Sequence, residues 1–269
     1  MTDNLRILKI YTAIIKQCKT FFSRLGYSEI LPALQSPGFE FSVEKSYIVG
    51  NSKHPDIYLP ASHSFQKQIA CQYLNKVYTI APCYRNENLS SLNSKMFYQI
   101  EAESIETNIF NTQKLIWDFL SALEIELHNN SLLTKTPKLI FESSDFINLP
   151  DRFTTLNIND YDVWSRELSL SIEKPTWLNY TPQTPKPRLN KSYKDNFSMG
   201  FDLILPMGYG EILSGGLRDK GELKKFYNNM EYINTSIDSC GFGIGLDRMV
   251  KLFLRAKSIS KVQLPYNLV

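Results

Sequence analysis

The chain has 269 residues, of which 43% are hydrophobic and 21% are charged, so it can bury one substantial core and is not a disordered chain. Thirty Lys and Arg residues against 27 Asp and Glu give a formal net charge of +3, which by itself does not indicate nucleic-acid binding. No apolar run reaches the roughly 20 residues of a membrane span, and the first residues do not resemble a signal peptide. We therefore expect a cytoplasmic protein that does not cross a membrane.

The cysteines and histidines are too scattered for a familiar metal or disulfide pattern. There are four cysteines without a CxxC pair, and only three histidines. Zinc sites and disulfide frameworks usually show closely spaced ligands or cysteines. The sequence therefore predicts neither, and it predicts buried free thiols at Cys18, Cys71, Cys83 and Cys240.

The first third of the chain alternates between helical and extended patterns. Apolar residues recur at three- and four-residue steps over Leu5–Leu25, and Gly26 follows where a left-handed C-cap would lie, which predicts an amphipathic helix. A short strand is predicted over Tyr27–Pro32, followed by a loop to about Lys53. A second helix is predicted over Ser62–Leu74.

An antiparallel hairpin is predicted next. Lys76–Tyr84 and Phe97–Glu103 alternate apolar and polar residues, which is typical of half-buried strands. The polar loop Asn86–Lys95 between them is longer than a tight turn requires, and long loops in compact domains are usually functional or disordered. A helix with one apolar face is predicted over Thr112–His128.

The pattern weakens over residues Asn129–Ser198, which we treat as a candidate insertion within a single domain of residues 1–269. Four prolines between Lys174 and Lys191 predict loops there. After Ser198 the sequence predicts two strands and two helices, in the order Phe201–Pro206, Glu211–Ser214, Lys220–Ile233 and Leu246–Leu254. Together the elements predict an α+β fold.

Three segments combine arginine, carboxylate and glycine. They are YRNE from Tyr84 with the returning strand FYQIEAE from Phe97, GEILSGGLR from Gly210, and GFGIGLDR from Gly241. Arginine binds phosphate oxygens through a planar fork, carboxylates hold a divalent metal or an amine, and glycine lets the backbone approach a ligand. Each segment alone is equally typical of a surface ion pair or a packed turn.

In this order and at these separations the segments resemble class II aminoacyl-tRNA synthetases of the aspartyl/asparaginyl branch. GYSEILPAL is similar to the first motif of that family, YRNENLSSLNSKMFYQIEAE to the second and GFGIGLDRMVKLF to the third. LPASHSFQKQ is similar to the LPQSPQLFKQ segment of the aspartyl enzymes. The resemblance, which runs from Gly26 to Phe253, implies a mostly antiparallel sheet flanked by helices and a homodimer formed through the first-motif region.

The resemblance implies an ATP site. Arg85 would bind the α-phosphate, and Glu87 would recognise the adenine amino group. Phe97 would stack on adenine, with Arg248 on the other face of the base and reaching the γ-phosphate. Glu211 would complete the ATP-binding and catalytic set.

It also implies a magnesium site at Glu211, helped by Asp202. Attack of a carboxylate on the α-phosphorus adds negative charge that cations and a metal stabilise, and it requires no proton abstraction. The cofactors implied are therefore ATP and Mg²⁺.

For the amino acid, the resemblance implies that Arg218 receives the side-chain carboxylate or amide and that Lys67 lies near the same group. Ser62, Gln99 and Glu101 match the rest of that site, with Glu101 where an acidic residue engages the α-amino group. Two cations around one side chain favour aspartate over asparagine, and both over apolar amino acids. The alternative reading of Lys67 is a solvated helix residue.

Three positions depart from the family pattern. Ser64 replaces a glutamine, Asn93 replaces the basic residue of the second-motif loop, and Glu101 follows the asparaginyl version. Lys95 is a candidate substitute for the missing loop cation.

The first motif begins almost at the first residue, whereas enzymes of this branch carry an anticodon-binding barrel of about 100 residues before it. Anticodon-dependent tRNA binding is therefore not expected. We expect ATP-dependent activation of aspartate, or of a related acidic or amide amino acid, as in an asparagine synthetase-like paralogue, with transfer to ammonia, an amine or another non-tRNA acceptor. Two alternatives stay open: a non-catalytic ligand-sensing paralogue, and a tRNA ligase that reads only the acceptor stem.

Overall fold

The computed structural model describes residues 3–36, 46–49, 57–105, 107–133, 140–183, 189–219, 221 and 238–263. Its eight-stranded sheet has the order β1-β2-β3-β8-β7-β6-β5-β4. Only the β1/β2 and β4/β5 pairs are parallel. The strands are β1 (Ser28–Glu29), β2 (Lys76–Tyr84), β3 (Met96–Ile105), β4 (Asp145–Asn148), β5 (Thr176–Asn179), β6 (Gly200–Leu205), β7 (Gly210–Leu217) and β8 (Ser239–Gly245).

Helices lie on both faces of the sheet. They are α1 (Asp3–Arg24), α2 (Ser64–Leu74), α3 (Ile109–Asn129), α4 (Ile158–Ser171) and α5 (Leu246–Leu254). Gly26 has a φ of +78°, which confirms the left-handed residue predicted after α1. Among the described helices, none combines the length and apolarity needed to cross a bilayer.

Strand β3 shows how the two faces of the sheet differ. Ile100 and Ala102 belong to the main apolar cluster, which also contains side chains of α1, α3 and α5. The alternate residues Gln99, Glu101 and Glu103 point to the opposite face, because successive side chains of a strand alternate. Helices α2 and α4 pack on that second face, where they lie beside the polar side chains of the central strands.

Two sequence predictions of local structure are wrong. The strand expected over Tyr27–Pro32 is limited to Ser28–Glu29, which pairs in parallel with the start of β2. Loops were expected over residues 174–191, yet Thr176–Asn179 forms β5 between β4 and β6. All four residues of β5 are buried, and a strand buried on both faces does not show the alternating pattern that identifies a strand.

The other helices and strands predicted within the described residues are confirmed in type, with shifted ends. Strand β7 is longer than expected, and α3 begins at Ile109 because the Asn108 side chain caps it by accepting from the Asn111 backbone N–H. The weakly patterned region 129–198 supplies β4 and β5 to the common sheet and α4 to its second face. The helix predicted over 220–233 lies outside the described residues, apart from Gly221.

Candidate active site

Arg85 and Phe97 face each other where the β2–β3 hairpin opens into its long loop. The Arg85 guanidinium carbon lies 5.1 Å from the centre of the Phe97 ring. The Arg85 backbone N–H donates to the Lys95 carbonyl oxygen at 2.9 Å, which closes the base of the loop. Its Nε donates to the Ala61 carbonyl oxygen at 3.2 Å. A cation and an aromatic face are thus held together by backbone contacts.

Arg248, in the first turn of α5, joins this loop to β7. Its Nε donates to the Leu92 carbonyl oxygen at 3.3 Å and its Nη2 to Asn93 Oδ1 at 3.2 Å. Its Nη1 donates to the Glu211 carbonyl oxygen and lies 3.5 Å from Glu211 Oε1. Asn93, which replaces the usual loop cation, therefore acts as an acceptor for Arg248. The side chain of Lys95 is exposed.

The carboxylates of Glu211 and Asp202 are close enough for Glu211 to raise the pKa of Asp202. Asp202 is buried and accepts a hydrogen bond from the Tyr161 hydroxyl at Oδ2, whereas Oδ1 accepts none from the described residues. Burial and the nearby Glu211 carboxylate raise the pKa of Asp202 to about 8. Desolvation within the site also raises the pKa of Glu211, whose side chain is partly exposed, although Arg248 and Arg85 oppose this rise. Carboxylates that disfavour each other's charge fit a divalent cation, which would stabilise both.

Lys67 and Glu101 form a buried ion pair. Lys67 Nζ lies 2.7 Å from Glu101 Oε2, with the two side chains 0% and 1% exposed, and it donates to the Phe242 carbonyl oxygen at 3.0 Å. The reading of Lys67 as a solvated helix residue is therefore wrong. Burial opposes ionisation of Glu101, yet the Lys67 ammonium and the nearby His63 hold the pKa of Glu101 below its usual value.

Arg218 and Glu103 form a second buried pair. Arg218 Nε lies 3.1 Å from both Glu103 carboxylate oxygens, and its Nη2 donates to Oε2 at 3.0 Å. Its Nη1 donates to Asn190 Oδ1 at 3.0 Å. Close packing here requires glycine, because a Cβ at Gly216 would lie 2.5 Å from the Asn190 side chain and one at Gly241 would overlap the Glu103 carboxylate. Lys67 and Arg218, the two cations predicted to lie around the side chain of the amino acid, thus each already have a carboxylate partner.

The other residues predicted to bind the amino acid lie close by. Ser62 Oγ is buried, accepts from the Ser64 backbone N–H at 3.1 Å and lies 2.8 Å from Ser64 Oγ. Gln99 Oε1 accepts from the Cys83 thiol at 3.2 Å. Glu87, on the nucleotide side, is half-buried and helps to raise the pKa of Glu211.

Sequence reasoning missed several residues of the site. Glu103 could have been found, because it continues the alternation of Gln99 and Glu101 on one face of β3. Asn190 and Tyr161 gave no signal, since both lie in the weakly patterned region and reach the site only through the fold.

One strand connects the two parts of the site. Along a single face of β3, the chain presents Phe97, Gln99, Glu101 and Glu103 in that order. Phe97 contacts Arg85 at one end, and Glu103 contacts Arg218 at the other. Arg85 and the two buried ion pairs therefore lie along one continuous face of β3.

The chain as a whole is similar to known proteins of one family. The family model described as "tRNA synthetases class II (D, K and N)" matches residues 2–266. Asparaginyl-tRNA synthetase from Pyrococcus horikoshii, complexed with asparaginyl-adenylate, superposes with a TM-score of 0.81 at 18% identity over 97% of this chain and 68% of that one. The Entamoeba histolytica asparaginyl-tRNA synthetase, also with asparaginyl-adenylate, gives 0.78 at 17% identity over 97% and 66%. The chain thus spans about two thirds of each of these enzymes.

Proposed function

This chain belongs to the class II tRNA synthetases of the D, K and N type, and on that premise we propose that it activates aspartate, or a related acidic or amide amino acid, with ATP. The carboxylate oxygen attacks the α-phosphorus, the bond to pyrophosphate breaks, and an aminoacyl-adenylate forms. The continuous face of β3 carries the proposal, because it puts Phe97, which contacts Arg85, on the same strand as the carboxylates that pair with Lys67 and Arg218. Both structural relatives named above are complexes with asparaginyl-adenylate.

On the nucleotide side, each residue has a role that its position supports. Arg85 offers a guanidinium to the α-phosphate, where negative charge develops during attack. Phe97 offers an aromatic face to the adenine, and Glu87 an acceptor for its amino group. Arg248 exchanges its contacts with Leu92 and Asn93 for contacts with the base and the γ-phosphate.

Glu211 and Asp202 would hold Mg²⁺, which supplies positive charge to the phosphates. The unpaired Oδ1 of Asp202 and the raised pKa values of both carboxyl groups support this assignment. Tyr161 fixes the other oxygen of Asp202 by donating to it.

The proposed amino-acid pocket contains two buried cations and two buried carboxylates, which form the Lys67–Glu101 and Arg218–Glu103 pairs. Its charge is therefore balanced before the amino acid binds. Charge alone therefore does not favour aspartate over asparagine, contrary to the expectation from two unpaired cations. The N–H groups of Arg218 that remain after its bonds to Glu103 and Asn190 are donors for either a carboxylate or an amide oxygen. An apolar side chain would leave them unsatisfied.

The acceptor of the activated amino acid is a further part of the proposal. An adenylate is a mixed anhydride: ammonia or an amine attacks its carbonyl carbon directly, the bond to the phosphate oxygen breaks, and AMP leaves. The residues assigned above bind donor and nucleotide, and we identify no module for a macromolecular acceptor in the described part of residues 129–198. We also propose a homodimer formed through the first-motif region, whose size chromatography with light scattering would measure.

One observation favours a second candidate, a ligase acting on the acceptor stem of tRNA. A pocket of about 310 Å³ is lined by three cationic residues, together with Tyr209 and neighbouring residues. Such a cluster suits phosphate oxygens. The cations are Lys251, Arg255 and Lys257. Acid-precipitable aminoacyl-tRNA formed at catalytic enzyme concentration would favour this candidate over a small acceptor.

Amino-acid-dependent exchange of labelled pyrophosphate into ATP tests the proposal. All standard amino acids are assayed with Mg²⁺, using the wild type, Arg85→Ala and, as a matched control, Arg166→Ala on the exposed side of α4. We expect exchange with aspartate or asparagine in the wild type and the control only. Folded protein that exchanges with no amino acid would refute the proposal and favour the ligand-sensing alternative.

A further inference from the structure

Three metal-ligating side chains lie together beside the donor residues. His63, Cys83 and Glu101 each contribute one ligand atom, and these atoms all lie within 4.8 Å of one another. All three residues are buried. They are held by separate elements, since His63 precedes the first turn of α2, Cys83 lies on β2 and Glu101 on the adjacent β3. Two of the three ligand residues are therefore held by adjacent strands of the sheet and the third by the start of a helix.

The His63 ring is arranged as in a metal ligand. Its Nε2 lies 3.1 Å from the Pro82 carbonyl oxygen, which can only accept, so Nε2 carries the proton. Its Nδ1 is buried and has no hydrogen-bond partner among the described residues. Metal-binding histidines typically donate their second ring N–H to a backbone carbonyl or a carboxylate. The Nδ1 lone pair is thus available to a metal.

Glu101 can serve the cluster without losing its ion pair. Its Oε2 pairs with Lys67 at 2.7 Å. Its Oε1 accepts from the His63 backbone N–H at 3.0 Å and lies 3.7 Å from the Cys83 sulfur. A carboxylate oxygen has two lone pairs, so Oε1 can keep the N–H bond and still bind a cation.

We propose that His63 Nδ1, Cys83 Sγ and Glu101 Oε1 bind one Zn²⁺. Imidazole, thiolate and carboxylate form a ligand set that suits zinc, and the thiol proton is released to solvent on binding. Bonds of about 2.0–2.3 Å put tetrahedral ligands about 3.3–3.8 Å apart. Closing the cluster from 4.8 Å to that range requires side-chain shifts of about 1 Å. Thiolate and carboxylate together place two negative charges beside the ion, and the Glu101 carboxylate also faces the Lys67 ammonium.

The sequence prediction of no zinc site depended on spacing along the chain. These ligands are separated by 20 and 18 residues, and only the pairing of β2 with β3 and the position of α2 bring them together.

Three protein ligands leave one coordination position for a small molecule, as in catalytic zinc sites. The Cys83 thiol contacts Gln99 and Glu101, and both of these residues are predicted to bind the amino acid. On the proposed function, the α-ammonium of the amino acid releases a proton to solvent and the resulting neutral amine takes this position, because a neutral amine is a good zinc ligand. This last step rests on the proposed function, whereas zinc binding itself does not.

Metal content and cobalt spectroscopy test the site directly. Protein purified without chelator is analysed for bound metal, and chelator-treated protein is titrated with Co²⁺. We expect about one metal ion per chain, a thiolate-to-cobalt charge-transfer band and visible bands of a four-coordinate ion. Absence of metal from the wild type, together with no charge-transfer band, would overturn the proposal.

Variants assign the ligands. Cys83→Ser and His63→Phe should each weaken cobalt binding by at least about 100-fold, which is more than the loss of an outer partner costs. Cys71→Ser is the matched control, because Cys71 is a buried free thiol on α2 outside the cluster. Equal binding by the Cys83→Ser and Cys71→Ser proteins would reject Cys83 as a ligand. If either ligand variant fails to fold, the wild-type charge-transfer band still decides whether a thiolate binds the metal.

Titration of the cobalt protein with the amino acid tests the zinc site separately from the proposed function. Aspartate or asparagine should shift the visible bands of the cobalt protein, and pyrophosphate exchange is measured in parallel. Bound metal without exchange would keep the zinc site and refute the proposed function. Undiminished pyrophosphate exchange, with Mg²⁺ present, by protein from which zinc has been removed would support the proposed function and show that zinc takes no part in it.

Discussion

The side chains assigned to the nucleotide and those assigned to the amino acid are built into the protein in different ways. Arg248 and Glu211 are 27% and 41% exposed, and Arg248 is hydrogen-bonded to oxygens of the hairpin loop and β7. Lys67 and Arg218 are buried and each is paired with a carboxylate of β3. The side chains proposed to bind the amino acid are therefore held in place before any ligand binds. Arg248, which is proposed to bind the nucleotide, must instead exchange its protein partners for ligand oxygens.

The largest expected effect is on stability, from breaking a donor-side ion pair. Lys67→Met leaves the buried Glu101 carboxylate uncompensated and should lower the free energy of unfolding by about 3–5 kcal/mol. The double variant Lys67→Met/Glu101→Gln should recover much of this loss. Urea denaturation measures both.

The exposed pair of Lys114 and Asp118, 2.7 Å apart with side chains 74% and 51% exposed, is the control. Lys114→Ala should cost only about 0.3–0.5 kcal/mol. A Lys67→Met loss as small as that would mean that burial of the pair does not determine its importance.

On the nucleotide side, Arg85→Ala should act on activity more than on stability. Removing a group that stabilises charge developing at phosphorus should slow pyrophosphate exchange by about 10²–10³-fold, or about 2.7–4 kcal/mol. The bond from the charged Nε to the Ala61 carbonyl oxygen is worth about 1.5–3 kcal/mol, so the loss of stability should be smaller than the loss of activity. Near wild-type exchange by the purified variant would show that Arg85 does not contact the reacting phosphate.

Another buried carboxyl group, Asp247, shows what a cation contributes. Asp247 accepts a hydrogen bond from Tyr11 at 2.5 Å, and burial raises its pKa to about 6 from a usual value of 3.8. Glu101 is equally buried, but its neighbouring cation lowers its pKa instead. Burial with neutral partners and burial with a cation therefore shift carboxyl pKa values in opposite directions.

This difference predicts a pH-dependent gain from Asp247→Asn. The folded protein holds the Asp247 proton more tightly than the unfolded chain, so the wild type loses stability as the pH rises from about 4 to about 6. The variant should be more stable by up to about 3 kcal/mol above that window, with no advantage below it. Denaturation at about pH 4 and pH 8 measures the gain, and a pH-independent difference would contradict the raised pKa.

The smallest expected effect concerns how Arg218 is positioned. Asn190→Ala removes the acceptor of Arg218 Nη1, a hydrogen bond to a charged group worth about 1.5–3 kcal/mol. The KM for the amino acid should rise about tenfold or more, with a smaller change in kcat. Asn190→Asp keeps the acceptor oxygen and should preserve KM better. A KM unchanged by Asn190→Ala would show that Glu103 alone positions the guanidinium.

The sequence predicted what local pattern and motif order encode. Gly26 at the end of α1 and the hairpin that carries Arg85 and Phe97 are of this kind. It could not predict β5, which is buried on both faces and lacks alternation. Nor could it predict that Arg218 pairs with Glu103, because the partners lie 115 residues apart and meet only when β3, β8 and β7 align. The same limit explains why Asn190 and the cluster of His63, Cys83 and Glu101 gave no signal.

Mass spectrometry of the reaction products tests the central claim most directly. Protein at high concentration is mixed with ATP, Mg²⁺ and the amino acid that supports exchange, then quenched at once. We predict a mass equal to the amino acid joined to AMP, together with pyrophosphate, in the wild type and in Arg166→Ala but not in Arg85→Ala. Formation of ADP and phosphate instead, or recovery of only ATP and free amino acid, would contradict activation at the α-phosphate.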